Sequence, residues 1–136
     1  MHLMQHLSFN GTCAEAFRFY EQCLRGELQT IMTHGESPMA AQTPPEWKDR
    51  VMHAALKVNG NVLMGADVPP DSYKQPTGFA VAIQLEDAAE AERIFGALAE
   101  KGTVTLALQQ TFWAERFGML VDRFGIPWMI NCGTTA

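Results

Sequence analysis

The chain has 136 residues and 47% hydrophobic content, which is the size and composition of one well-cored globular domain. Its net charge of -5, without any cluster of Lys or Arg, argues against nucleic acid or an anionic membrane as a partner. The three cysteines form no CxxC pair, and the chain shows neither a membrane-spanning apolar run nor a secretory leader. We therefore expect a cytoplasmic protein whose partner is a small molecule or another protein.

The chain begins with the pattern of a strand followed by a helix. Residues 3–9 are a short apolar run that predicts a strand closed by a turn. Thr12 and Glu15 have the spacing of a capping box, which predicts a helix start, and Gly26 is a typical helix stop. Residues 28–33 predict a second strand.

Residues 34–50 contain three prolines and little periodicity, and they predict a long loop. Loops of this length are uncommon inside compact domains, where they tend to be lids, binding loops or dimer contacts. The alternative is a floppy surface insertion without a function of its own. The sequence leaves both interpretations open.

Asn59 and Gly60 form the strongest hairpin signal of the chain, because both tolerate the positive φ that a two-residue turn requires. The flanking runs, 51–58 and 61–66, have strand length. A two-residue turn places Ala55 opposite Met64, and alternation along the strands then places His53 on the same sheet face as Met64.

A further strand and a second helix follow a Pro-rich connector at 68–77. Residues 79–85 are an apolar run of strand length. Asp87 and Glu90 repeat the capping-box spacing and predict a helix that ends near Gly102.

Residues 111–132 form an apolar and aromatic run with two of the three tryptophans. They predict two strands, 117–121 and 126–130, joined by a turn in which Gly125 adopts a positive φ. Just before them, residues 112–116 combine aromatic, carboxylate and guanidinium groups on a loop, which suggests the rim of a pocket.

An internal repeat relates the two halves. Residues 14–20 match residues 89–95 at an offset of 75, with Ala, Glu, Ala and Arg identical. Chance similarity between two amphipathic helices is the alternative, but the order of strand, helix and three strands also recurs. The sequence therefore predicts an α+β fold of two βαβββ modules, 1–67 and 78–132.

Three segments carry a resemblance to a known family: LSFNGTCAEAFRFY at 7–20, MHAALKVNGNVLMGAD at 52–67 and QTFWAERFGMLVDRFGIPWMINC at 110–132. Through them the chain resembles the PhnB-like branch of the vicinal oxygen chelate superfamily, which includes glyoxalase I and the bleomycin-resistance proteins. The resemblance implies a single glyoxalase-like domain over 1–136 with cupped mixed sheets. Pairing of such modules, within a chain or between chains, covers their exposed sheet edges, and we expect a homodimer. Members often carry a demethylubiquinone methyltransferase label, but this chain has no Gly-x-Gly sequence to cradle the methyl-donor cofactor.

The resemblance also implies a metal site, in which two histidines and two glutamates from four strands face a cup and hold a divalent metal as a Lewis acid. The corresponding positions of this chain hold Gln5, Met64, Ala80 and Met129. None of these is a usual ligand for such a metal. We therefore predict no metal ligand and no cofactor, with a divalent metal as the less favoured alternative.

The candidate site that remains is an apolar cavity with a few polar groups. His53 and Glu115 are the predicted catalytic residues, because an imidazole titrates near neutral pH and a carboxylate can act as its acid partner. The predicted ligand-binding residues are Gln5, Met64, Trp113, Phe117, Met129 and Asn131. The alternatives are a hydrogen-bonded core role for His53, a solvated Glu115–Arg116 pair and a purely packing role for Trp113.

Two functions of different classes follow from this site. In the first, the protein binds or sequesters a small metabolite or drug-like ligand in the cup between the modules. In the second, it is an enzyme that acts on a small oxygen-bearing metabolite, either with a divalent metal or with His53 as acid and base. The missing ligand set favours the binding protein.

Overall fold

The computed structural model describes residues 1–133, and the chain divides into two compact units, Met1–Lys74 and a second that begins at Gln75. Each unit contains one strand, one helix and three further strands, in the order βαβββ. The predicted α+β fold of two βαβββ modules is therefore confirmed. No helix in the described part of the chain has the length and apolar character needed to cross a membrane.

The first unit is a four-stranded mixed sheet with one helix. Its elements are β1 (Gln5–Phe9), α1 (Cys13–Leu24), β2 (Glu27–Thr33), β3 (Val51–Val58) and β4 (Asn61–Asp67). The strand order is β1-β4-β3-β2, in which β1 runs parallel to β4 and the other pairs are antiparallel. The predicted hairpin is confirmed, since Val58 pairs with Asn61 and Ala55 with Met64.

Helix α1 packs an apolar face against this sheet. Its buried residues are Cys13, Ala16, Phe17, Tyr20 and Cys23. The helix approaches β4 so closely that a Cβ at Gly65 would lie 2.6 Å from Cε1 of Phe17 and 2.9 Å from the carbonyl oxygen of Leu7. Glycine at position 65 therefore allows the close contact between helix and sheet.

The N-terminus of α1 is capped by a residue from another element. Thr12 makes no side-chain hydrogen bond to the helix, so the predicted capping box is wrong. The backbone N–H of Cys13 instead donates to Oδ1 of Asp67 at 3.1 Å, across 54 positions of the chain. At the other end, Arg25 takes the left-handed conformation with φ of 52°, where the sequence predicted Gly26 as the stop.

The loop between β2 and β3 is ordered by hydrogen bonds. It contains three short 3-10 turns, His34–Glu36, Ala40–Gln42 and Pro45–Trp47. The N–H of His34 donates to the carbonyl of Arg50 and the N–H of Gly35 to that of Lys48, both at 2.9 Å, so the two ends of the loop are tied together. This bonding argues against the floppy insertion that the sequence left open.

The second unit has the same arrangement. Its elements are β5 (Val81–Leu85), α2 (Ala88–Ala99), β6 (Thr103–Gln109), β7 (Arg116–Val121) and β8 (Pro127–Cys132). The strand order is β5-β8-β7-β6, with β5 parallel to β8 and antiparallel pairing elsewhere. The predicted closing hairpin corresponds to β7 and β8.

Helix α2 begins at the residue that the sequence predicted. The carboxylate of Asp87 accepts from the N–H of Ala89 at 3.0 Å and from that of Glu90 at 3.4 Å, which confirms the N-cap. The side chain of Glu90 pairs with Arg93. The buried residues of α2 are Ala91, Ile94, Phe95 and Leu98.

The turn between β7 and β8 is built around a buried aspartate. Asp122 is 3% exposed, and its Oδ1 accepts from the N–H of Phe124 at 2.8 Å and of Ile126 at 3.0 Å. Its Oδ2 accepts from the indole N–H of Trp128 at 2.8 Å. Gly125 has φ of 88°, as predicted for this turn.

Candidate functional site

One candidate surface is the face of the first sheet that points away from α1. Met64 pairs with Ala55 on β3 and with His6 on β1, and His53 pairs with Met32 on β2. Because paired residues of neighbouring strands point to the same side, His53, Met64 and His6 share this face. His53 and Met64 are half-buried, whereas His6 is exposed. Their grouping agrees with the predicted hairpin register.

Gln5 lies on the opposite side of that sheet. It pairs with Leu63, whose neighbours on the same face, Leu7 and Gly65, pack toward α1. The register therefore does not bring Gln5 beside His53 and Met64, as its place in the predicted set required. The sequence did not reveal this because the alignment of two parallel strands depends on a contact between distant segments.

The corresponding face of the second sheet carries most of the predicted ligand-binding residues of that unit. Phe117 pairs with Asn131, and Met129 pairs with Met119 and Ala82. Phe117, Met129 and Asn131 are thus neighbours on one face, and we call them together with Trp113 the β7–β8 face. The ring of Trp113 packs edge-on against Phe117, with 5.2 Å between ring centroids.

Asn131 is the polar group of the β7–β8 face. Its Nδ2 donates to Oε1 of Gln84 at 2.6 Å. Its Oδ1 is buried, and no donor among residues 1–133 bonds to it. A buried acceptor without a donor lowers the stability of the fold by about 1–3 kcal/mol. The Oδ1 of Asn131 can therefore still accept a hydrogen bond from a ligand.

Trp113 and Glu115 lie on the loop that leads into β7. The hydroxyl of Thr111 accepts from the N–H of Trp113 at 3.4 Å and of Ala114 at 3.1 Å, which fixes the turn. Trp113 is 38% exposed, so its ring packs on Phe117 on one side and remains partly open to solvent.

The side chain of Glu115 is exposed, and its backbone N–H donates to the carbonyl of Cys132 at 2.9 Å. Burial raises the pKa of the Cys132 thiol, and the nearby carboxylate of Glu115 raises this pKa further. Arg116 bonds through Nε to Glu92 at 3.4 Å, which differs from the solvated Glu115–Arg116 pair weighed above. Glu115 belongs to the second unit and His53 to the first, and their pairing as acid and base stays a prediction.

A cavity of about 410 Å³ lies within the first unit, under the loop between β2 and β3. We call it the loop cavity. Its lining residues are His34, Met39, Gln42, Thr43, Pro44, Trp47, Met52, Asp67 and Pro69. The volume falls in the usual range of small-molecule sites, and the lining mixes apolar, aromatic and a few polar groups as such sites do.

The comparisons with known proteins place this chain in a family. Residues 1–131 match the family model described as 3-demethylubiquinone-9 3-methyltransferase. The chain belongs to this family. It is also 35% identical to Protein YjdN of Escherichia coli K12 over 96% of this chain and 95% of that protein.

Solved structures show that this family has the vicinal oxygen chelate fold. The chain is similar to protein PA1353 from Pseudomonas aeruginosa, at 44% identity and a TM-score of 0.90, over 98% of each chain. The PhnB protein from Bacillus cereus matches at 23% identity and a TM-score of 0.83, over 98% of this chain and 100% of that one. The fosfomycin resistance protein FosX from Listeria monocytogenes matches in fold at 11% identity and a TM-score of 0.68, over 98% and 93%. The chain is thus a PhnB-like member of the vicinal oxygen chelate superfamily.

The residues of this PhnB-like chain do not fit the metal of the superfamily. The register turns Gln5 away from the Met64 face and puts His6 beside Met64 in the first unit, while Ala82 pairs with Met129 in the second. Of His6, Met64, Ala82 and Met129, only His6 is a usual ligand for such a metal. Within residues 1–133, no group of three or more His, Cys, Asp or Glu side chains is placed to hold a metal ion. A hard or borderline divalent cation prefers carboxylate and imidazole ligands, so the donor set is the wrong one.

Sequence reasoning missed the lining of the loop cavity, above all Trp47, Met52 and Asp67. The length and proline content of residues 34–50 indicated a binding loop but could not say what it covers. Asp67 ends an apolar strand, where a buried carboxylate calls for an explanation. The sequence gives no sign that this carboxylate meets the loop.

Proposed function

We propose that the protein binds a small organic ligand on the β7–β8 face without using the metal chemistry of the superfamily. One observation carries the proposal: the strand register places Phe117, Met129 and Asn131 side by side, with Trp113 packed against Phe117. Apolar and aromatic contact area combined with one oriented amide is the usual makeup of a small-molecule site.

The chemistry of this face suggests how a ligand would be held. Trp113 and Phe117 offer ring surface for a planar or apolar body. The Asn131 amide, paired with the exposed Gln84, offers a hydrogen bond that orients one polar group of the ligand. Movement of the Gln84 side chain would let a ligand donor reach the unsatisfied Oδ1 of Asn131 and relieve its cost.

A thermal-shift screen of metabolite-like compounds tests this function. Compounds that raise the Tm of the wild type are tested again on Trp113→Ala and Asn131→Ala. Val104→Ala serves as the matched control, because Val104 is an exposed apolar residue of the same sheet that pairs with buried Leu120 rather than with the β7–β8 face. We expect the stabilisation to disappear in both site variants and to persist in the control. Stabilisation that survives in both site variants would remove the β7–β8 face from the function.

The second candidate function is an enzyme in which His53 acts as acid and base on a small oxygen-bearing metabolite. The half-buried position of His53 beside Met64 on one sheet face favours it. For any ligand found in the screen, His53→Ala separates the two candidates. An enzyme loses turnover in this variant while the ligand still binds, whereas a binding protein shows no turnover in either form.

The metal-free character of the site is part of the proposal. Elemental analysis of protein purified without chelators should find no stoichiometric Zn, Ni, Mn or Fe. A stoichiometric metal that survives purification would contradict the argument from the donor set.

A homodimer in the cytoplasm completes the proposal. The three cysteines are free and buried, which is typical of a reducing compartment. Open four-stranded sheets present edge strands, and pairing between copies is one way in which proteins cover such edges. Light scattering at micromolar concentration tests the dimer, and a monomer mass would contradict it.

A further inference from the structure

The loop cavity is separate from the face that carries His53 and Met64. Asp67 pairs with Phe9, and it follows Leu63 and Gly65 on the side of β4 that packs toward α1. His53 and Met64 point to the other side of the same sheet. A ligand in the loop cavity would therefore use residues that the proposed function does not use.

The walls of the loop cavity are pre-formed. Trp47 is held between the His34 ring, 5.8 Å away and edge-on, and the Arg50 guanidinium, 5.6 Å from the ring centroid. Ser37 donates its hydroxyl to the carbonyl of His34 at 2.7 Å, and Thr43 donates its hydroxyl to the carbonyl of Met39 at 2.8 Å. A cavity whose walls are already bonded requires little ordering when a ligand binds.

The charge in this cavity is a buried carboxylate. Asp67 is 7% exposed, and its oxygens accept from the N–H of Cys13 at 3.1 Å and from the N–H of Val51 at 2.8 Å. Within residues 1–133 it makes no ion pair. Two carboxylate oxygens can accept about four hydrogen bonds, so two backbone donors leave acceptor capacity toward the cavity.

Arg50 lies beside the wall of the loop cavity but makes no ion pair with Asp67. The guanidinium of Arg50 lies over Trp47 and against Gly11, where a Cβ would come within 1.6 Å of its Nη1. No Lys or Arg lines the loop cavity. Buried charges in proteins are as a rule paired, so the cavity presents a carboxylate whose counter-ion the protein does not supply.

We propose that the loop cavity is a second ligand site, which binds a small organic cation through Asp67. The cation is an ammonium or guanidinium group on an apolar body. Asp67 accepts from the charged group, and Trp47 contributes aromatic contact area. Met39 and Met52 contribute adaptable thioether contacts to the apolar body.

The charge of the cavity discriminates between ligand classes. An anion would meet the carboxylate of Asp67, and no Lys or Arg lines the cavity to pair with the anion. A neutral alcohol of the same shape keeps the apolar contacts but loses the charge-assisted hydrogen bond, which is about twice as strong as a neutral one. Selectivity for the cation over its neutral isostere is thus the signature of the site.

Three probes of one shape and different charge test the proposal on the full-length protein: phenethylamine, phenethyl alcohol and phenylacetate. Titrations are followed by backbone amide NMR, which gives both the affinity and the location. We expect phenethylamine to bind about tenfold more tightly than the alcohol, with shifts at residues 34–52 and at Asp67. Phenylacetate should cause no saturable shift there.

Two variants distinguish the contribution of the Asp67 charge to ligand affinity from that of the Trp47 ring. Asp67→Asn keeps the shape of the side chain and should lower the affinity for phenethylamine about tenfold, to that of the alcohol. Trp47→Ala, in the half-exposed loop, should weaken both probes and requires no change in the sheet. Trp113→Ala is the control from the proposed function and should leave both affinities unchanged.

Several results would overturn the inference. They are equal affinities for the amine and the alcohol in the wild type, shifts that map outside the loop cavity, or unchanged amine binding in Asp67→Asn. If Asp67→Asn fails to fold, the comparison of amine with alcohol on wild type and Trp47→Ala still decides. Since Trp113→Ala reports on the β7–β8 face alone, failure of either site leaves the other testable.

Discussion

Asp122 stabilises the second unit through three hydrogen bonds, and we expect even the small change Asp122→Asn to lower the free energy of unfolding. Its carboxylate accepts from the backbone N–H groups of Phe124 and Ile126 and from the indole N–H of Trp128, at 2.8 to 3.0 Å. Asp122→Asn keeps the volume of the side chain but replaces one oxygen with a donor. In either orientation of the amide, the new NH₂ faces at least one N–H that has lost its acceptor.

The magnitude follows from the number of donors left without a partner. One orientation strands the indole of Trp128 and the other strands two backbone groups, and each buried unsatisfied donor costs about 1–3 kcal/mol. We expect Asp122→Asn to lower the free energy of unfolding by about 2 kcal/mol, and Asp122→Ala by about 3–5 kcal/mol. Trp128→Phe removes the indole donor from a residue that is 1% exposed and should cost about 1–3 kcal/mol.

Urea unfolding followed by circular dichroism measures these values, and a double-mutant cycle isolates the pair. Because Asp122→Asn and Trp128→Phe remove the same hydrogen bond, the double variant should be about 1–2 kcal/mol more stable than the sum predicts. Asp71→Asn, at an exposed aspartate, is the matched control and should change stability by less than about 0.5 kcal/mol. Additive effects, or an Asp122→Asn variant as stable as the control, would refute the reasoning.

Three further predictions concern the helices and a buried thiol. Asp87→Ala should cost about 1 kcal/mol in urea unfolding through loss of the α2 cap, whereas Thr12→Ala should be nearly neutral. Equal costs would contradict the cap assignment. Gly65→Ala should cost about 1–3 kcal/mol, because the new Cβ would overlap Phe17, and an unchanged midpoint would mean that α1 is less closely packed. Burial, followed by a nearby carboxylate, raises the pKa of the Cys13 thiol, so at pH 8 it should resist iodoacetamide in the native protein and react in urea, as mass spectrometry of tryptic peptides would show.

The fold could be predicted because its signals are local. The Asn59-Gly60 turn fixes the pairing of β3 with β4, and the structure has the register that the two-residue loop implies. Gly125 marks the turn of the second hairpin in the same way, with φ of 88°. Each signal lies within a few residues of the structure that it specifies. The internal repeat then allowed the same βαβββ module to be predicted for both halves of the chain.

The cap of α1 could not be predicted, because it depends on a contact between distant residues. Thr12 and Glu15 match the capping-box pattern, yet the N–H of Cys13 is satisfied by Asp67. The same reason explains Gln5, whose face is set by the alignment of parallel β1 with β4 rather than by its neighbours in the sequence. Local patterns predict which elements form but do not determine which distant side chain satisfies a given group.

The loop cavity was hidden for the same physical reason. Residues 34–50 were recognisable as a loop with a possible binding role, but the partner surface comes from Met52, Asp67 and Pro69. Only folding brings the buried carboxylate to the aromatic wall of Trp47. The β7–β8 face was more accessible to sequence reasoning, because Phe117 and Asn131 belong to one hairpin and their pairing follows from its register.

The two units share their order of elements but differ in how they use a buried aspartate. Asp67 ends β4 and joins the starts of α1 and β3, whereas Asp122 lies in the turn between β7 and β8. The order of elements follows from apolar periodicity and turns, which many residues determine together. It is therefore the same in both units although the buried aspartate occupies a different position in each. The carboxylate of Asp122 accepts from three N–H donors of its own hairpin, while that of Asp67 retains acceptor capacity at a cavity. We therefore expect the organic-cation site to be a property of the first unit, without a counterpart around Asp122.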